Sequence, residues 1–553
     1  MNDANKRLKI FAPLFFSIVL ILGMFLGFKL RDKAGYERPF FSRSADIMLH
    51  QVLRLIDMKY VDSVNVARLR SDAINGLLQH LDPHSVYIPP RDLRGINEEM
   101  QGSFHGIGIA YYIIRDTINV TQVLSGGPAE KAGLKIGDQL LRASDSVVAG
   151  VHIDATRIRR LLQGPLHSVV PVEIKRKDTR MNLDITRGII PIKSLDAAYM
   201  IAPHVAYVRI NRFSARTYSE FMDAIVALKK DHSIDQFILD LRGNPGGYLD
   251  AAVHIADEFL SGDKEVVSTR GKSYPDKTFR CGKAGEFETI PLAVLVNERS
   301  ASASEILAGA LQDWDRAYII GRQTYGKGLV QEQYNLINGA ALRLTVARYY
   351  LPSGRLIQRP YKHRMGAYQH DLVERFAHGE MLHKDSIHFE DTTAYFTLEE
   401  HRRVHAGGGV MPDVFVPLDT TRMSSQLMAL YRQHLLFRFA YAYHNQHTEK
   451  FATLKSPEDL LKAHILPENL PAALHAFAPE ATGLQTLPPQ ELANVRLQIK
   501  AFIARELWQD EGYYYLINQQ DRSIEKARQI LLQQPDLRSF SPDSTIAVNP
   551  PSY

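Results

Sequence analysis

The stretch that decides the fold is QFILDLRGNPGGYLDAAVHIADEFL, residues 236–260. An apolar run of strand length is followed by Asn-Pro-Gly-Gly and then by an apolar segment that predicts a helix. The two adjacent glycines, Gly246 and Gly247, let the backbone approach another group closely and turn an N–H outward. A strand, a tight turn and a helix in this order form the repeating unit of an α/β domain.

The same alternation extends over residues 188–360. Further apolar runs of strand length are HVAYVRI, PLAVLV and RAYIIG, and the segments TYSEFMDAIVALKK and ASEILAGALQDW predict helices between strands. This pattern predicts an α/β domain with a largely buried sheet. After Asn338-Gly339, the stretch ALRLTVARYYL predicts the second arm of a β-hairpin.

The regions on either side differ in character. Helices are predicted up to DPHSVYIPP, where three prolines break the pattern, and strands follow, two of them joined by a turn at Arg115-Asp116. Beyond residue 420 long helical stretches dominate. We therefore predict five regions: an N-terminal membrane anchor and linker (1–43), a helical N-terminal region (44–101), a β-rich domain (102–187), an α/β core (188–420) and a helical C-terminal extension (421–553).

The composition is that of a multidomain globular protein. With 553 residues, the chain is too long for one ordinary core, and 45% hydrophobic and 23% charged residues are usual for globular proteins. A formal net charge of +5 is small for this length and argues against nucleic acid as the main partner. The single cysteine, Cys281, excludes an intrachain disulfide and a zinc site that needs two thiolates.

The N-terminus carries a candidate membrane segment. Residues 10–28 contain no charged side chain, and as a helix they would span roughly 28 Å, close to the thickness of a bilayer core. The alternative is a cleaved signal peptide, but the apolar run is long and no A-x-A-like site ends it. We predict an uncleaved anchor. Positive charges flank it on both sides, so they do not orient it.

A second stretch, GRQTYGKGLV at residues 321–330, fits most of a phosphate-binding loop. That motif requires Ser or Thr after the lysine and then a helix. Here Gly328 follows Lys327, and LVQEQYNL predicts a strand, so no helix N-terminus faces a phosphate. Nucleotide binding is therefore disfavoured, which leaves a solvated turn lysine or a catalytic one.

A serine cluster, NERSASASEILAG, lies at a predicted strand-to-helix turn upstream of the lysine. Such a turn can present the hydroxyl of Ser302 as a nucleophile, and free N–H groups of the helix can face a developing oxyanion. The competing interpretation is an ordinary capping box, because Ser302 and Glu305 fit S-x-x-E. Taken alone, this stretch favours the cap.

Taken together, the serine, the lysine and the Asn-Pro-Gly-Gly turn suggest a Ser-Lys hydrolase. No G-x-S-x-G motif competes, and the 21 histidines form no recognisable catalytic pattern. A lysine acts as a base only when uncharged, so the pKa of Lys327 must fall by about three units from its reference near 10.4, through burial or a nearby positive charge.

Three motifs, SASASEI, YGKGLVQ and DLRGNPGG, resemble those of the carboxyl-terminal processing (tail-specific) proteases, serine peptidase family S41. The resemblance extends from about residue 47 to residue 417 and includes LDPHSVYIPP and GGGVMPDVFVP. It implies a multidomain α/β protein with a crotonase-like Ser-Lys protease core, an inserted β-rich PDZ domain, a helical N-terminal region and a helical C-terminal extension.

The resemblance also implies roles for individual residues. Ser302 corresponds to the nucleophile, Lys327 to the general base, and Gln331 to a glutamine found in family members with a Ser-Lys-Gln arrangement. The oxyanion donors correspond to the backbone N–H groups of Ala303 and of Gly246 or Gly247. Positions four apart on a straight strand are about 13 Å distant, so contact between Lys327 and Gln331 requires a bend at residues 326–328. No metal or cofactor is implied.

The segments GSFHGIGIAYYI and GGPAEKAGLKIGDQLL are similar to a PDZ domain. Gly106, Ile107, Gly108 and Ile109 fit its carboxylate-binding loop, where backbone N–H groups hold a peptide C-terminus and the peptide adds as a strand. A dinucleotide loop is excluded, because Tyr111 stands where G-x-G-x-x-G needs its third glycine.

These features predict a serine endopeptidase that cleaves polypeptides near apolar C-termini, with a PDZ domain that recognises the substrate and gates activity. The alternative is a membrane-anchored PDZ peptide-binding module on an inactive peptidase scaffold. The predicted location is the cytoplasmic membrane, with the catalytic part in the periplasm. The C-terminal extension could form a homo-oligomer, cover the active site or recruit an adaptor or activator protein, and no nucleic-acid partner is expected.

Overall fold

A computed structural model of the chain describes residues 16–24, 45–361, 365–389, 391–420, 424–479 and 487–533. The chain divides into two compact units, residues 1–80 and residues 81–553. In the first unit, residues 16–24 are helical, and helices α1 (Ala45–Lys59) and α2 (Val66–Leu78) follow. The predicted anchor at residues 10–28 lies mostly outside the described ranges, within which no helix is both long and apolar enough to cross a membrane.

The second unit contains most of the strands and helices. Its strands are β1 (Val86–Ile88), β2 (Ser103–Gly106), β3 (Ile109–Ile114), β4 (Thr117–Val123), β5 (Gln139–Ala143), β6 (Ser146–Val147), β7 (Val169–Arg176), β8 (Thr179–Thr186), β9 (Gly188–Pro191), β10 (Leu195–Ala202), β11 (Val205–Ile210), β12 (Gln236–Asp240), β13 (Glu265–Arg270), β14 (Lys277–Arg280), β15 (Leu292–Val296), β16 (Tyr318–Gly321), β17 (Leu329–Asn335), β18 (Ala341–Tyr350), β19 (Tyr395–Phe396), β20 (Arg403–Val404) and β21 (Val414–Phe415). Its helices are α3 (Pro90–Gln101), α4 (Pro128–Lys131), α5 (Ala155–Leu162), α6 (Thr217–Asp231), α7 (Leu249–Asp257), α8 (Ala303–Asp313), α9 (Met365–Ala377), α10 (Ser425–Arg432), α11 (Leu435–Gln446), α12 (Thr448–Phe451), α13 (Pro457–Lys462), α14 (Leu470–Phe477), α15 (Pro489–Ile517) and α16 (Arg522–Gln533), with 3₁₀ turns at Lys384–Ser386 and Asn518–Gln520.

The core sheet has six strands in the order β10-β11-β12-β15-β16-β21, and every pair except β10 and β11 is parallel. This confirms the predicted α/β region. Side chains of successive residues point to opposite faces of a strand, so Leu239 packs with the cluster that contains helices α6 to α8, whereas Ile238 packs on the other face. The sheet is therefore buried on both sides.

Helix α16 covers that second face. Its buried apolar side chains are Ile524, Ala527, Ile530 and Leu531, and they pack against Ile238, Ala293, Leu295 and Ile320 of the sheet. The last described helix is thus a layer of the α/β core. The sequence pattern identified a helical extension but not this position.

Replacing Ile530 by alanine is expected to lower the free energy of unfolding by about 2–5 kcal/mol, because the side chain is fully buried against the sheet. Denaturant unfolding of the full chain measures the loss. The matched control is Leu532→Ala on the same helix, because Leu532 is 70% exposed and should change stability by less than about 0.5 kcal/mol. Equal midpoints for the two variants would contradict the packing.

A second sheet, with the order β1-β18-β13-β14, carries β17 paired with β18. The β17–β18 hairpin turns at Asn338-Gly339, as predicted. Strand β17 begins two residues after Lys327, so the hairpin fixes the lysine loop from its C-terminal side. Strand β1 pairs with the other edge of β18, and it brings residues 82–88 close to the same loop.

The β-rich domain is formed by β3-β4-β5-β7-β8, with β6 paired to β5, around its own apolar core. The hairpin turn at Arg115-Asp116 has positive φ at both residues, which matches the right-handed twist of the flanking strands. Strands β2 and β9 pair with Gly106 opposite Gly188, so the chain enters and leaves this domain side by side.

The C-terminal helices form a separate apolar core and contact the β-rich domain as well as the sheet. The rings of Tyr112 and Phe437 stack with centroids 3.8 Å apart, and Gln122 Nε2 donates to the Arg505 carbonyl at 3.0 Å. Helix α15 is kinked at Trp508 and Gln509, which have non-helical dihedral angles. The C-terminal region therefore joins the β-rich domain to the α/β core.

Candidate active site

The serine cluster and the Asn-Pro-Gly-Gly turn lie at the carboxyl ends of two neighbouring parallel strands. Strand β15 leads to Ser302, and strand β12 leads to residues 244–247, with Asp240 paired opposite Leu295. Carboxyl ends of parallel strands are where open α/β sheets bind ligands. The core sheet thus brings the two predicted motifs together.

Ser302 has a strained backbone, with φ +56° and ψ −116°, immediately before helix α8. This region costs a non-glycine residue about 1–3 kcal/mol and persists only where the surroundings enforce it. Asn244 supplies that constraint, because its carbonyl accepts the Ala301 N–H and the Ser304 hydroxyl, both at 3.0 Å. The turn therefore presents Ser302 in a fixed orientation.

The two glycines of the Asn-Pro-Gly-Gly turn differ in what they can do. A Cβ on Gly246 would lie 2.8 Å from Ser302 Cβ, so only glycine permits this approach. The Gly246 N–H already donates to Asn244 Oδ1 at 2.8 Å. Within the described part of the chain, the N–H groups of Gly247 and Ala303 have no acceptor. They are the two free donors beside the serine.

Lys327 contacts Gln331, and the chain between them has the bend that this contact requires. Its Nζ donates to Gln331 Oε1 at 2.9 Å. Gly326 has φ +90°, and a register shift lies between Val330 and Gln331, so the chain is not a straight strand. Gln331 Nε2 in turn donates to the His84 carbonyl.

The environment of Lys327 favours its neutral form. Burial, and after it the positive charge of Arg343, lower the pKa of Lys327 to about 8 against the opposing influence of Glu305 and Asp82. Both causes match the requirement stated from sequence. A substantial neutral fraction is therefore present near pH 8.

Glu305 joins the serine loop to the lysine loop. Its Oε2 accepts the backbone N–H groups of Ser302 and Lys327, each at 2.8 Å. Its Oε1 accepts the Gly326 N–H and the Thr324 hydroxyl, each at 2.6 Å. Glu305 is fully buried, and burial raises the pKa of its carboxyl. The S-x-x-E pattern predicted the contact of Glu305 with Ser302 but not its hydrogen bonds to the lysine loop. We call the Glu305 carboxylate and its four hydrogen-bond donors the Glu305 clamp.

No hydrogen bond joins the Ser302 hydroxyl to Lys327 Nζ among the residues that the structure describes. The serine loop and the lysine loop both donate to Oε2 of Glu305, while Lys327 Nζ donates to Gln331. The backbones of Ser302 and Lys327 are thus held close together, but the hydrogen bond through which a proton could pass from the serine to the lysine is not formed. Catalytic hydrogen bonds often tighten only in complexes with substrate.

The glycine motif GGGVMPD packs against the same clamp. A Cβ on Gly409 would lie 2.5 Å from Thr324 Oγ1 and 2.9 Å from Glu305 Oε1, and the residue has φ +88°. The neighbouring Val410 N–H donates to Thr324 Oγ1 at 2.7 Å. Because Gly409 has no side chain, the backbone at residues 409–410 can lie directly against Glu305 and Thr324.

Asp240 anchors the strand end that precedes the glycine turn. The fully buried carboxylate accepts Arg209 and Arg242 at 2.7 Å and the Tyr207 hydroxyl at 2.8 Å. Burial alone would raise the pKa of Asp240, but the two guanidinium groups hold it well below its usual range. Arg242 also donates to Asp521 at 2.7 Å, which ties the turn to the start of helix α16.

His84 and Tyr368 were not predicted from sequence, although DPHSVYIPP was noted. A His84 ring nitrogen and the Tyr368 hydroxyl lie 2.8 Å apart, and both rings pack against Tyr325. Burial and the nearby charge of Lys327 lower the pKa of His84 to about 4. The histidine is therefore neutral at physiological pH and forms part of the wall beside Gln331.

The predicted carboxylate loop, residues 106–109, connects strands β2 and β3. Gly108 has φ +79°, and the N–H groups of Ile107 and Gly108 have no acceptor within the described ranges. The loop borders a cavity of about 300 Å³. Two successive backbone donors beside a cavity with apolar lining residues can hold a terminal carboxylate and an apolar side chain.

Comparisons with known proteins agree with these features. The family model of peptidase family S41 matches residues 204–362, and that of a PDZ domain matches residues 120–176. The carboxy-terminal-processing protease of Bartonella bacilliformis is 36% identical over 313 residues, which cover 56% of this chain and 71% of that protein. A probable CtpA-like serine protease of Staphylococcus haemolyticus is 30% identical over 363 residues, 64% of this chain and 72% of that protein. The solved photosystem II D1 C-terminal processing protease has 26% identity and a TM-score of 0.34, over 68% of this chain and 93% of that chain.

The α/β region, the PDZ domain and the serine turn define a multidomain serine peptidase. The chain belongs to peptidase family S41, and it is a carboxy-terminal processing serine protease with a PDZ domain. The enzyme interpretation from sequence is therefore confirmed.

Proposed function

We propose that Ser302 is the nucleophile and Lys327 the general base of this protease, within a crotonase-like α/β core. The observation that carries the proposal is the Glu305 clamp, which holds the backbone N–H groups of Ser302 and Lys327 on one oxygen atom. The backbone of a serine at a strained strand-to-helix turn is thereby held next to the backbone of a lysine with a lowered pKa. This pairing is the arrangement that activates a weak nucleophile.

The reaction follows from these positions. Neutral Lys327 accepts the proton of Ser302 Oγ, and the oxygen attacks the carbonyl carbon of the scissile peptide bond. The N–H groups of Ala303 and Gly247 donate to the oxyanion that forms. The protonated lysine then gives its proton to the leaving amine, which releases the C-terminal fragment and leaves an acyl-enzyme on Ser302. Lys327 next deprotonates a water molecule, which hydrolyses the ester.

Gln331 has a positioning role in this scheme. It holds Lys327 Nζ, and its own amide is held by the His84 carbonyl. Because no hydrogen bond links Lys327 Nζ to Ser302 Oγ within the described structure, we propose that substrate binding closes this contact.

The PDZ domain is proposed to bind the substrate C-terminus and to promote that closure. Helix α3 lines the PDZ cavity through Gly95, Glu98 and Glu99. The same segment of chain runs back through β1 to His84, which holds Gln331. A tail in the cavity therefore touches an element that is continuous with the support of the catalytic lysine.

The proposal is tested with an active-site-directed phosphonate that reacts with activated serines. Mass spectrometry of the full chain is expected to locate the phosphonate on Ser302, and labelling should accelerate when a peptide with an apolar C-terminus is added. Attachment to another residue would contradict the nucleophile assignment. An unchanged rate with the peptide would contradict gating by the PDZ domain.

The activity should increase with pH through about 8, because only neutral Lys327 can accept a proton and its pKa is lowered to that value. Replacing Arg343 by glutamine removes a positive charge that lowers this pKa. The rising limb of kcat/KM is then expected to move to higher pH, with lower activity at pH 7. Arg343→Lys keeps the charge and should keep the profile. If the rising limb of kcat/KM stays at the same pH in Arg343→Gln, the charge of Arg343 does not lower the pKa of Lys327.

The membrane anchor at residues 10–28 and the periplasmic location of the catalytic part remain proposals based on sequence. They are tested by fractionating cells that express the full chain and a variant that lacks residues 1–43. The full chain is expected in the membrane fraction, and the shortened protein is not. The same material, examined by light scattering, tests the proposed homo-oligomer.

A further inference from the structure

The PDZ groove has an apolar side and a charged side. Phe104, Ile107, Ile109 and Leu162 line the cavity of about 300 Å³ between strand β3 and helix α5. The free N–H groups of Ile107 and Gly108 lie at one end. The apolar lining suits the side chain of an apolar C-terminal residue, and the N–H groups suit its carboxylate. Together they account for recognition of one residue of a bound tail.

Arg159 also lines the cavity, but recognition of the C-terminal residue does not require it. It extends from helix α5 into the lining of the cavity, and its side chain is exposed. No ion pair or hydrogen bond of its guanidinium occurs among the described residues. Its charge acts on Tyr111 of strand β3, where it opposes the increase in pKa that burial causes. The guanidinium therefore lies within electrostatic reach of the strand that a bound peptide would extend.

Helix α3 also lines the cavity, and it carries negative charge there. Glu98 is paired with Arg94 at 2.8 Å, whereas Glu99 is exposed and forms no ion pair in the described part of the chain. The two walls thus present different charges to the tail. Arg159 and Glu99 both line the cavity, so a carboxylate near helix α5 is attracted and one near helix α3 is repelled.

We infer that Arg159 makes the PDZ groove select polypeptide tails with an acidic side chain among the residues that precede an apolar C-terminus. This inference rests on the proposed function, in which the groove binds the substrate tail. A carboxylate beside Arg159 forms a charge-assisted hydrogen bond at the edge of a half-enclosed groove, for which about 3- to 10-fold in Kd is expected. The terminal carboxylate is bound separately, by the backbone N–H groups.

The experiment measures binding of fluorescent ten-residue peptides to the full chain carrying Ser302→Ala, which prevents cleavage. All peptides end in valine, and glutamate replaces glutamine at one of the three preceding positions. At the favoured position, glutamate is expected to bind about 3- to 10-fold more tightly. The preference should shrink in high salt, because the pair is partly exposed.

Two variants test the residue itself. Arg159→Gln is expected to abolish the preference and to leave binding of the neutral peptide unchanged. The matched control is Arg160→Gln, because Arg160 is exposed on the same helix but does not line the cavity. This control should keep the preference. A preference that survives in Arg159→Gln, or that is lost in both variants, would overturn the assignment.

The remaining outcomes separate this inference from the proposed function. If the neutral and acidic peptides bind equally well to the parent protein, tail recognition stands and the charge preference is wrong. If neither peptide binds, tail recognition itself is wrong and the inference falls with it. If Arg159→Gln weakens the neutral peptide as strongly as the acidic one, and amidation of the C-terminus removes the effect, Arg159 binds the terminal carboxylate instead and the inference is overturned.

Discussion

Exchange of Ser302 for alanine is expected to lower kcat/KM for an unfolded polypeptide with an apolar C-terminus by about 10⁴-fold or more, because no acyl-enzyme can form. The substitution removes one oxygen atom and keeps the backbone contacts of the turn, since Glu305 and Asn244 hold main-chain groups there. Cleavage followed by mass spectrometry measures the loss. It also shows where the unmodified enzyme cuts.

The control for folding is the PDZ domain of the same molecule. Ser302→Ala should bind a tail peptide as tightly as the unmodified protein, because the peptide site lies in another domain. Retained binding with lost cleavage identifies a catalytic defect. Cleavage at more than a few per cent of the normal rate would show that another residue is the nucleophile.

Exchange of Lys327 for methionine is expected to lower kcat/KM by about 10³-fold or more, because the general base and the later proton donor are lost together. Methionine fills much of the same half-buried space without a charge. The increase of activity through pH 8 should also disappear, since it reports the ionisation of Lys327. Rate measurements from pH 6 to pH 10 test both expectations.

Lys327→Arg distinguishes a base from a charge. Arginine keeps the positive charge but stays protonated at all accessible pH values, so it cannot accept the serine proton. We therefore expect Lys327→Arg to be as inactive as Lys327→Met. An active arginine variant would show that the charge alone matters and would contradict the proposed mechanism.

Local sequence patterns predicted the α/β core and the parts of the candidate site that depend on chain order. Strand–turn–helix units placed Ser302 and the glycine turn at strand ends, and the core sheet puts those ends next to each other. The contact between Lys327 and Gln331 could be predicted only conditionally, because it depends on a bend that spacing alone does not specify. The sequence left Gly246 and Gly247 equivalent. Only the hydrogen bond from Gly246 to Asn244 separates them.

Contacts between distant segments were not predictable in this way. Glu305 fits a capping box, and nothing in S-x-x-E indicates that its second oxygen holds Gly326 and Thr324. His84 and Tyr368 are far apart in sequence, and they meet only because β1 pairs with β18 while helix α9 packs beside the lysine loop. Helix α16 has an apolar stripe like many surface helices. Its partner, the open face of a sheet, is made of strands that begin 108 to 327 residues earlier in the chain.

The position of helix α16 has a consequence for the order in which the enzyme matures. Translation proceeds from the N-terminus, so every strand of the core sheet leaves the ribosome before the helix that covers one face of it. Until residues 521–533 emerge, Ile238 and Leu295 lack their contacts with helix α16 and Arg242 lacks its bond to Asp521. The turn that carries Gly247, the proposed oxyanion donor, therefore gains its contact with residue 521 late in synthesis. We therefore expect the protease to reach full activity only after its whole chain, including helix α16, has been synthesised.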